Sequence, residues 1–319
     1  MSVNVIVPCQ TPKVSIIIPS IDGQRAGNVP RLIEQIRAQN LPAYELLLVA
    51  GESPNGHARN VGARCATGHL LVFIDDDAIL GDTETLANVL RPVEHDPSVG
   101  MSGASTLIPP DSNWFQRWVA AQQHGATYPV VNVATETRHG ATHLCCAFRR
   151  STWQELGGEN DDLVTGTDLD MRDRVRKAGL KVVLAPRCFA YHPLPPTLRA
   201  YLRSVFRYGA GAPLFLRQCP ALGRAPALTS SLRRASYVVT QLALVLPSVF
   251  LHRDPISRHI GFRWHPVAAL SRLFYAAGYY WGWRQHMESG SQTRRTGSFV
   301  EASADARGRQ VCADRDAER

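Results

Sequence analysis

Three short apolar runs punctuate the first 80 residues, at 14–18, 45–49 and 70–74. Each is nearly continuous rather than alternating, the pattern of parallel strands buried on both faces. Between the first two, residues 29–39 carry Leu32, Ile33 and Ile36 at helical spacing, and Pro30 suits a first helical turn. Residues 57–66 predict a second helix, ended by Gly68. Strand, helix, strand, helix, strand implies right-handed crossovers and an open α/β sheet with a mostly parallel centre. In such sheets ligands bind beyond the carboxyl ends of the strands.

A second patterned block covers residues 145–186. It holds an apolar strand candidate, a Gly157-Gly158 turn and then TGTDLDMRDRVRKAGLKVVLAP. Thr167 followed by Asp170 predicts a capping box at a helix start. Met171, Val175 and Ala178 form the buried stripe of that helix, Arg172, Arg174 and Arg176 its solvated face, and Gly179 its end. Residues 180–184 predict a strand closed by Pro186. Beyond 192 come Arg and aromatic residues and two apolar segments, 235–251 and 266–283. The first, with Pro247 near its end, is at the lower limit of length for crossing a bilayer. The second contains Arg272, and Trp264, Trp281 and Trp283 flank it as aromatics do at a lipid interface. Residues 288–319 are polar and aperiodic, which predicts a disordered tail.

Charge sharpens this division. The net charge is +8, yet residues 187–287 hold 13 Arg and no Lys against the single acid Asp254. Such a block seeks phosphate or an anionic surface. A membrane surface accounts for the Arg excess, the apolar segments and the tryptophans together. An ordinary helical subdomain is the plainer alternative. Nucleic acid is the least favoured reading and is not expected as a partner, because only charge supports it and no recognition helix or RNA-binding motif is present. Arg272 and the short lengths favour peripheral or re-entrant packing over spanning helices. The seven cysteines are scattered and show no CxxC pair, which predicts reduced thiols. Residues 1–13 lack the basic start, apolar stretch and cleavage site of a secretion signal. The expected location is therefore the cytoplasm, at the inner face of the membrane.

The chemistry-bearing stretch is FIDDDAIL, residues 73–80. Adjacent carboxylates at a strand end have a bland explanation as a turn or helix start. Here Ala78, Ile79 and Leu80 continue the apolar character, so the triplet is embedded. Carboxylates with little water demand a cation, and oxygen ligands without nearby Cys fit Mg²⁺ or Mn²⁺. A hard cation at a sheet end points to a nucleoside di- or triphosphate.

VSIIIPS (14–20), ELLLVAGES (45–53), ARNVGARCATGHLLVFIDDD (58–77), LGGENDDLVTGTDLDMRDRVRKAG (156–179) and AYHP (190–193) occur in this order. Together they resemble the landmarks of family-2 inverting glycosyltransferases, which have the GT-A fold. The resemblance covers about residues 13–215. It implies a nucleotide-sugar donor, with Pro19, Ser20 and Glu52 bordering the base, Arg59 and Asn60 near the nucleotide, and Asp75 and Asp76 on the donor side. It implies Asp77 as ligand to a divalent cation, Mn²⁺ or Mg²⁺, with His192 as a second ligand, although a lone His is also a common packing residue. Asp168 matches the family's general base, and would otherwise be a first-turn acid stabilised by the helix dipole. Two positions depart from the pattern: VAGES lacks the usual acid after the second strand, and Thr167 replaces a glutamate.

The expected division is an extension 1–13, a GT-A catalytic domain 14–215, a basic, aromatic, helical, membrane-proximal region 216–287 and the tail 288–319. The expected activity is inverting sugar transfer to a glycan or lipid-linked acceptor. The rival expectations are a nucleotide-sugar-binding module without transfer, or a membrane-surface scaffold. The sequence sets no oligomeric state.

Overall fold

The computed structural model describes residues 2–122, 127–222, 230–253, 260–262, 264 and 266–289. In chain order its first half contains β1 (Ser2–Val7), β2 (Val14–Ser20), α1 (Asn28–Arg37), β3 (Tyr44–Ala50), α2 (Asn55–Cys65), β4 (Leu70–Ile74), β5 (Ile79–Leu80), α3 (Thr85–His95), β6 (Val99–Leu107) and α4 (Trp114–Gln122). There follow β7 (Thr135–Glu136), β8 (Cys145–Arg149), α5 (Arg150–Glu155), α6 (Thr167–Lys177), β9 (Lys181–Tyr191) and α7 (Leu198–Gln218). Last come α8 (Ser231–Ala243), α9 (Val245–Phe250), the pair β10 (Leu251–Arg253) and β11 (Ile260–Phe262), and α10 (Pro266–Ser289).

The three apolar runs form β2, β3 and β4, parallel and adjacent in the order β3-β2-β4, as the crossover pattern requires. Their near-continuous hydrophobicity is used on both faces. Val14, Ile16 and Ile18 pack with Leu32 and Ile36 of α1 and Val89 of α3. Ile17 packs on the opposite face with Leu47, Val49 and the α2 residues Ala58 and Val61. The full sheet runs β1-β3-β2-β4-β8-β6-β9-β5, with β7 alongside β9. β8 lies antiparallel to β4, pairing Cys145 with Ile74. The start of β8 therefore meets the carboxyl end of β4, where the aspartates begin.

Four local expectations change. Residues 1–13 supply β1, an edge strand antiparallel to β3. Pro186 does not close β9: the strand continues to Tyr191 across a register irregularity, with Arg187 at φ 48°. A bulge tolerates a residue that has no N–H for the ladder. The capping box does not form, because Gly166, at φ 82°, is the N-cap and Thr167 is already helical. Asp170 instead pairs with Arg174, Oδ2 to Nη2 at 2.7 Å. The arginine face of α6 is not solvated: Arg172 is buried and donates to the Ala141 carbonyl. Arg174 donates to the carbonyls of Leu156 and Gly158, and Arg176 to those of Thr137 and Arg138. The loops wrapped over α6 present carbonyls that need donors, and the arginines supply them.

The 215/216 boundary falls inside α7, which packs along α10. Small residues set this crossing. A Cβ at Gly278 would collide with the Phe206 carbonyl, and one at Gly282 with that of Ala210. On its other side α7 abuts the approach to α6, since added Cβ atoms at Gly166 and Gly211 would strike Phe215 and Thr165. The first apolar segment becomes α8 and α9, and the second lies within α10. No helix among the described residues is long and apolar enough to cross a membrane. These helices nevertheless expose Leu232 (80%), Leu246 (72%), Val239, Leu242, Phe274 and Trp281. Of the expected tail 288–319, Glu288 and Ser289 instead end α10, and residues from 290 onward lie outside the described residues.

Candidate active site

The carboxyl ends of β2 and β4 and the loop before β8 converge on one edge of the sheet. Asp75, Asp76 and Asp77 follow β4, with side chains 27%, 13% and 26% exposed, so they line a cleft without being free in water. Each has its own partner. Asp75 takes Arg59 Nη2 at 2.5 Å, and Arg59 is buried in α2. Asp76 accepts from Ser20 Oγ at 2.7 Å, while Asn28 Nδ2 donates to the Asp76 and Ala78 carbonyls and pins the turn. Asp77 pairs with Arg25 Nη2 at 2.9 Å and faces His192 Nε2 at 3.8 Å. Burial disfavours the charged carboxylate, but His192 and Arg25 outweigh it and hold Asp77 down at about 2. Burial dominates at Asp76, whose carboxyl is pushed up despite Ser20 and Arg25.

Asp168 enters from the first turn of α6. Its backbone partner is the His143 amide, which donates to Oδ1 at 2.8 Å. The neighbouring residue Leu144 accepts from the Asp75 amide at 3.3 Å. Successive residues of the turn that leads into β8 thus tie Asp75 and Asp168 together. The His143 ring contacts Asp168 through Nδ1 and Glu159 through Nε2, the latter at 2.6 Å. Neither ring N–H points squarely along a carboxylate, so these contacts are chiefly electrostatic. His143 and Glu159 side chains are 1% and 0% exposed, whereas Asp168 keeps 36%. Burial and Arg59 push the imidazole down, but Glu159 and Asp168 win and raise it to about 9. Burial likewise opposes ionisation of Asp168, and His143, Arg172 and Arg59 drive its carboxyl well below the usual range.

The expected residues divide into two groups. Ser20, Arg59, Asp75, Asp76, Asp77, His192 and Asp168 surround one cleft, with Pro19 buried in β2 just behind it. Glu52 borders the same edge and faces His57 Nε2 at 3.3 Å. Asn60 is buried and turned inward, bonding both the amide and carbonyl of Glu159. It fastens α2 to the Glu159 loop and presents nothing to the cleft. Sequence reasoning missed His143, Glu159, Arg25 and Tyr208, whose hydroxyl lies in the field of Asp75, Asp77 and Asp168. His143 had a usable signal: a titratable residue beside an apolar run, here 144–148, needs a partner if it is buried. Glu159, in the polar loop GGENDD, had none. Arg25 had none, since it sits in a polar loop.

The mixed α/β sheet with flanking helices on both faces matches the GT-A fold. The chain belongs to glycosyltransferase family 2: residues 3–211 match the family described as "Glycosyltransferase like family 2". It is 26% identical over 208 residues to an N-acetylglucosaminyltransferase of Bradyrhizobium diazoefficiens, covering 59% of this chain and 40% of that protein. The chain thus spans about two fifths of the length of this curated relative. A solved structure of similar fold is a mannosyltransferase from Pyrobaculum calidifontis, in complex with GDP-Man and Mn²⁺. It shares 18% identity, with a TM-score of 0.53 over 86% of this chain and 91% of that one.

Proposed function

We propose that this chain transfers a sugar from a nucleoside-diphosphate sugar to an acceptor hydroxyl with inversion at the anomeric carbon. The observation that carries the reading is the pairing of two carboxylate sets across one cleft: the Asp75–Asp77 triplet, and the part-exposed Asp168 tied to it through residues 143 and 144. In the single displacement, the acceptor oxygen forms a bond to the anomeric carbon from the face opposite the diphosphate. The bond from that carbon to the diphosphate oxygen breaks, and its electron pair leaves with the nucleoside diphosphate. The acceptor proton passes to Asp168.

A carboxylate oxygen from Asp77 and the imidazole of His192 are a donor pair that Mn²⁺ or Mg²⁺ accepts. Two protein ligands leave positions for diphosphate oxygens and water; among the described residues no cluster of three or more His, Cys, Asp or Glu forms a complete cage. When bound, the cation would neutralise charge gathering on the leaving diphosphate. Arg25, now on Asp77, must turn away for the cation to enter, and its guanidinium then suits a phosphate oxygen. Ser20 and Asn28 keep the aspartate turn in place throughout.

The acceptor we favour is lipid-linked, with the helical region resting on an anionic membrane surface. Exposed Leu232, Val239, Leu242, Leu246 and Trp281, beside an excess of arginine, support this. Turnover of nucleotide-sugars, followed by nucleoside diphosphate release with Mn²⁺, tests the catalytic reading. Asp77→Ala is expected to abolish metal-dependent transfer. Asp168→Asn is expected to lower kcat by about 10³-fold while donor binding persists. Near-normal turnover of Asp168→Asn removes the base assignment. Flotation with anionic vesicles at low and high salt tests the membrane arm, and failure to float at low salt removes it.

A further inference from the structure

Resting on the reading of Asp168 as base, we propose that the buried His143–Glu159 pair is a positioning device for it, with His143 acting as a fixed imidazolium that aims the Asp168 carboxylate at the acceptor. The three groups are arranged in sequence from inside to outside. Glu159 is fully buried, His143 nearly so, and Asp168 alone reaches the cleft. Both nitrogens of His143 face carboxylates, so neither is left as an acceptor for a proton from substrate. The imidazole therefore does not relay the proton; it holds the group that receives it.

Charge and anchoring support the same role. Glu159 is located by Asn60, which grips its amide and carbonyl, both at 2.8 Å. Arg59 bridges toward the donor side through Asp75, and Arg172 approaches Asp168 from α6. Three cations, Arg59, His143 and Arg172, thus face three carboxylates, Asp75, Glu159 and Asp168. Buried charge is tolerated when it is compensated in this way. The groups facing His143 are Glu159 from the loop before α6, Asp168 from α6 and Arg59 from α2; the Phe73 ring of β4 stands edge-on at 6.5 Å. The Oδ1 held by the His143 amide and ring is fixed, which leaves the other carboxylate oxygen free to point outward. An ionised carboxylate of low basicity suits this reaction, because the acceptor proton becomes acidic only as its oxygen bonds to the anomeric carbon.

The test is His143→Gln in the full chain, compared with wild type and Asp168→Asn. Loss of the cation is expected to lower kcat by about 10²-fold with donor KM nearly unchanged. The acid limb of the kcat profile is expected to move up by about one pH unit or more, as Asp168 regains ordinary carboxylate behaviour. Unchanged kcat and an unmoved acid limb, with Asp168→Asn still about 10³-fold slower, would overturn the positioning role while leaving the base assignment intact. Near-normal turnover by Asp168→Asn would instead sink the base assignment itself. Should His143→Gln not fold, ¹⁵N-histidine NMR of the wild-type protein at pH 8 decides. A buried ring protonated at both nitrogens, whose signal is shifted by Glu159→Gln, supports the proposal, and a neutral ring there overturns it.

Discussion

The sheet domain and the helical arm spend their hydrophobic residues in opposite ways. In the sheet, β2, β3 and β4 place almost every side chain in one of two cores, and even the charged residues Arg59, Glu159 and Arg172 are buried among partners. In the arm, the described clusters are small, with Tyr279, Tyr237 and Ala212 at the centre of one of them, while large apolar side chains remain in water. A domain stabilised by its own burial has no use for such exposure, whereas a surface that meets lipid does. The contrast says where stability resides, and the exposed face is the one the proposed membrane contact would use.

That contrast can be broken at its strongest point first. Phe73→Ala removes a fully buried ring packed on Phe148 and Trp153 and is expected to destabilise the protein by about 4 kcal/mol, read by urea unfolding. Glu159→Ala leaves His143 with half of its compensation and should destabilise by about 3 kcal/mol in the same measurement. The pH dependence follows from this pair. With its ordinary value of 6.5 raised to about 9, His143 contributes stability that is whole below pH 6.5 and lost as pH rises through about 9. Glu159 and Asp168, both lowered, contribute above their ordinary carboxylate values and lose that contribution as pH falls. A melting-temperature scan should therefore decline at both extremes, and Glu159→Gln should flatten the alkaline decline.

Smaller effects belong to the arm. Gly282→Val forces α10 off the Ala210 carbonyl and is expected to remove about 2 kcal/mol, with earlier proteolysis of the arm than of the sheet. Leu242→Ser with Leu246→Ser should leave stability within about 0.5 kcal/mol of wild type. The same double variant should weaken flotation with anionic vesicles. Equal loss of stability at the exposed and the buried sites would erase the distinction between the two regions.

Continuous apolar runs announced β2, β3 and β4, since burial on both faces leaves no room for polar alternation. The aspartate triplet was legible for the same reason, as charge abutting such a run. The helix start at Gly166 was not, because Thr167 and Asp170 mimic a capping box and only the left-handed glycine shifts the boundary. Nor was the arginine face of α6, where helical periodicity marks residues as outward but cannot show that loops 137–141 and 156–158 cover them. The Glu159–His143–Asp168 series joins residues spread over 25 positions in α6, its preceding loop and the entry to β8, and the fold alone brings them together. Arg25 was hidden in a loop whose composition predicts only solvent.

The small residues at the edges of α7 have a further bearing on the acceptor. Gly278 and Gly282 weld α10 to α7 on one side, and Gly166 and Gly211 press α7 against the approach to Asp168 on the other. A helix clamped so closely on both sides does not telescope. If the arm rests in a lipid headgroup layer, the depth at which it settles sets the height of Asp168 above the bilayer. The chain would then carry a built-in gauge, accepting hydroxyls at one stand-off from the membrane and passing over those held nearer or farther.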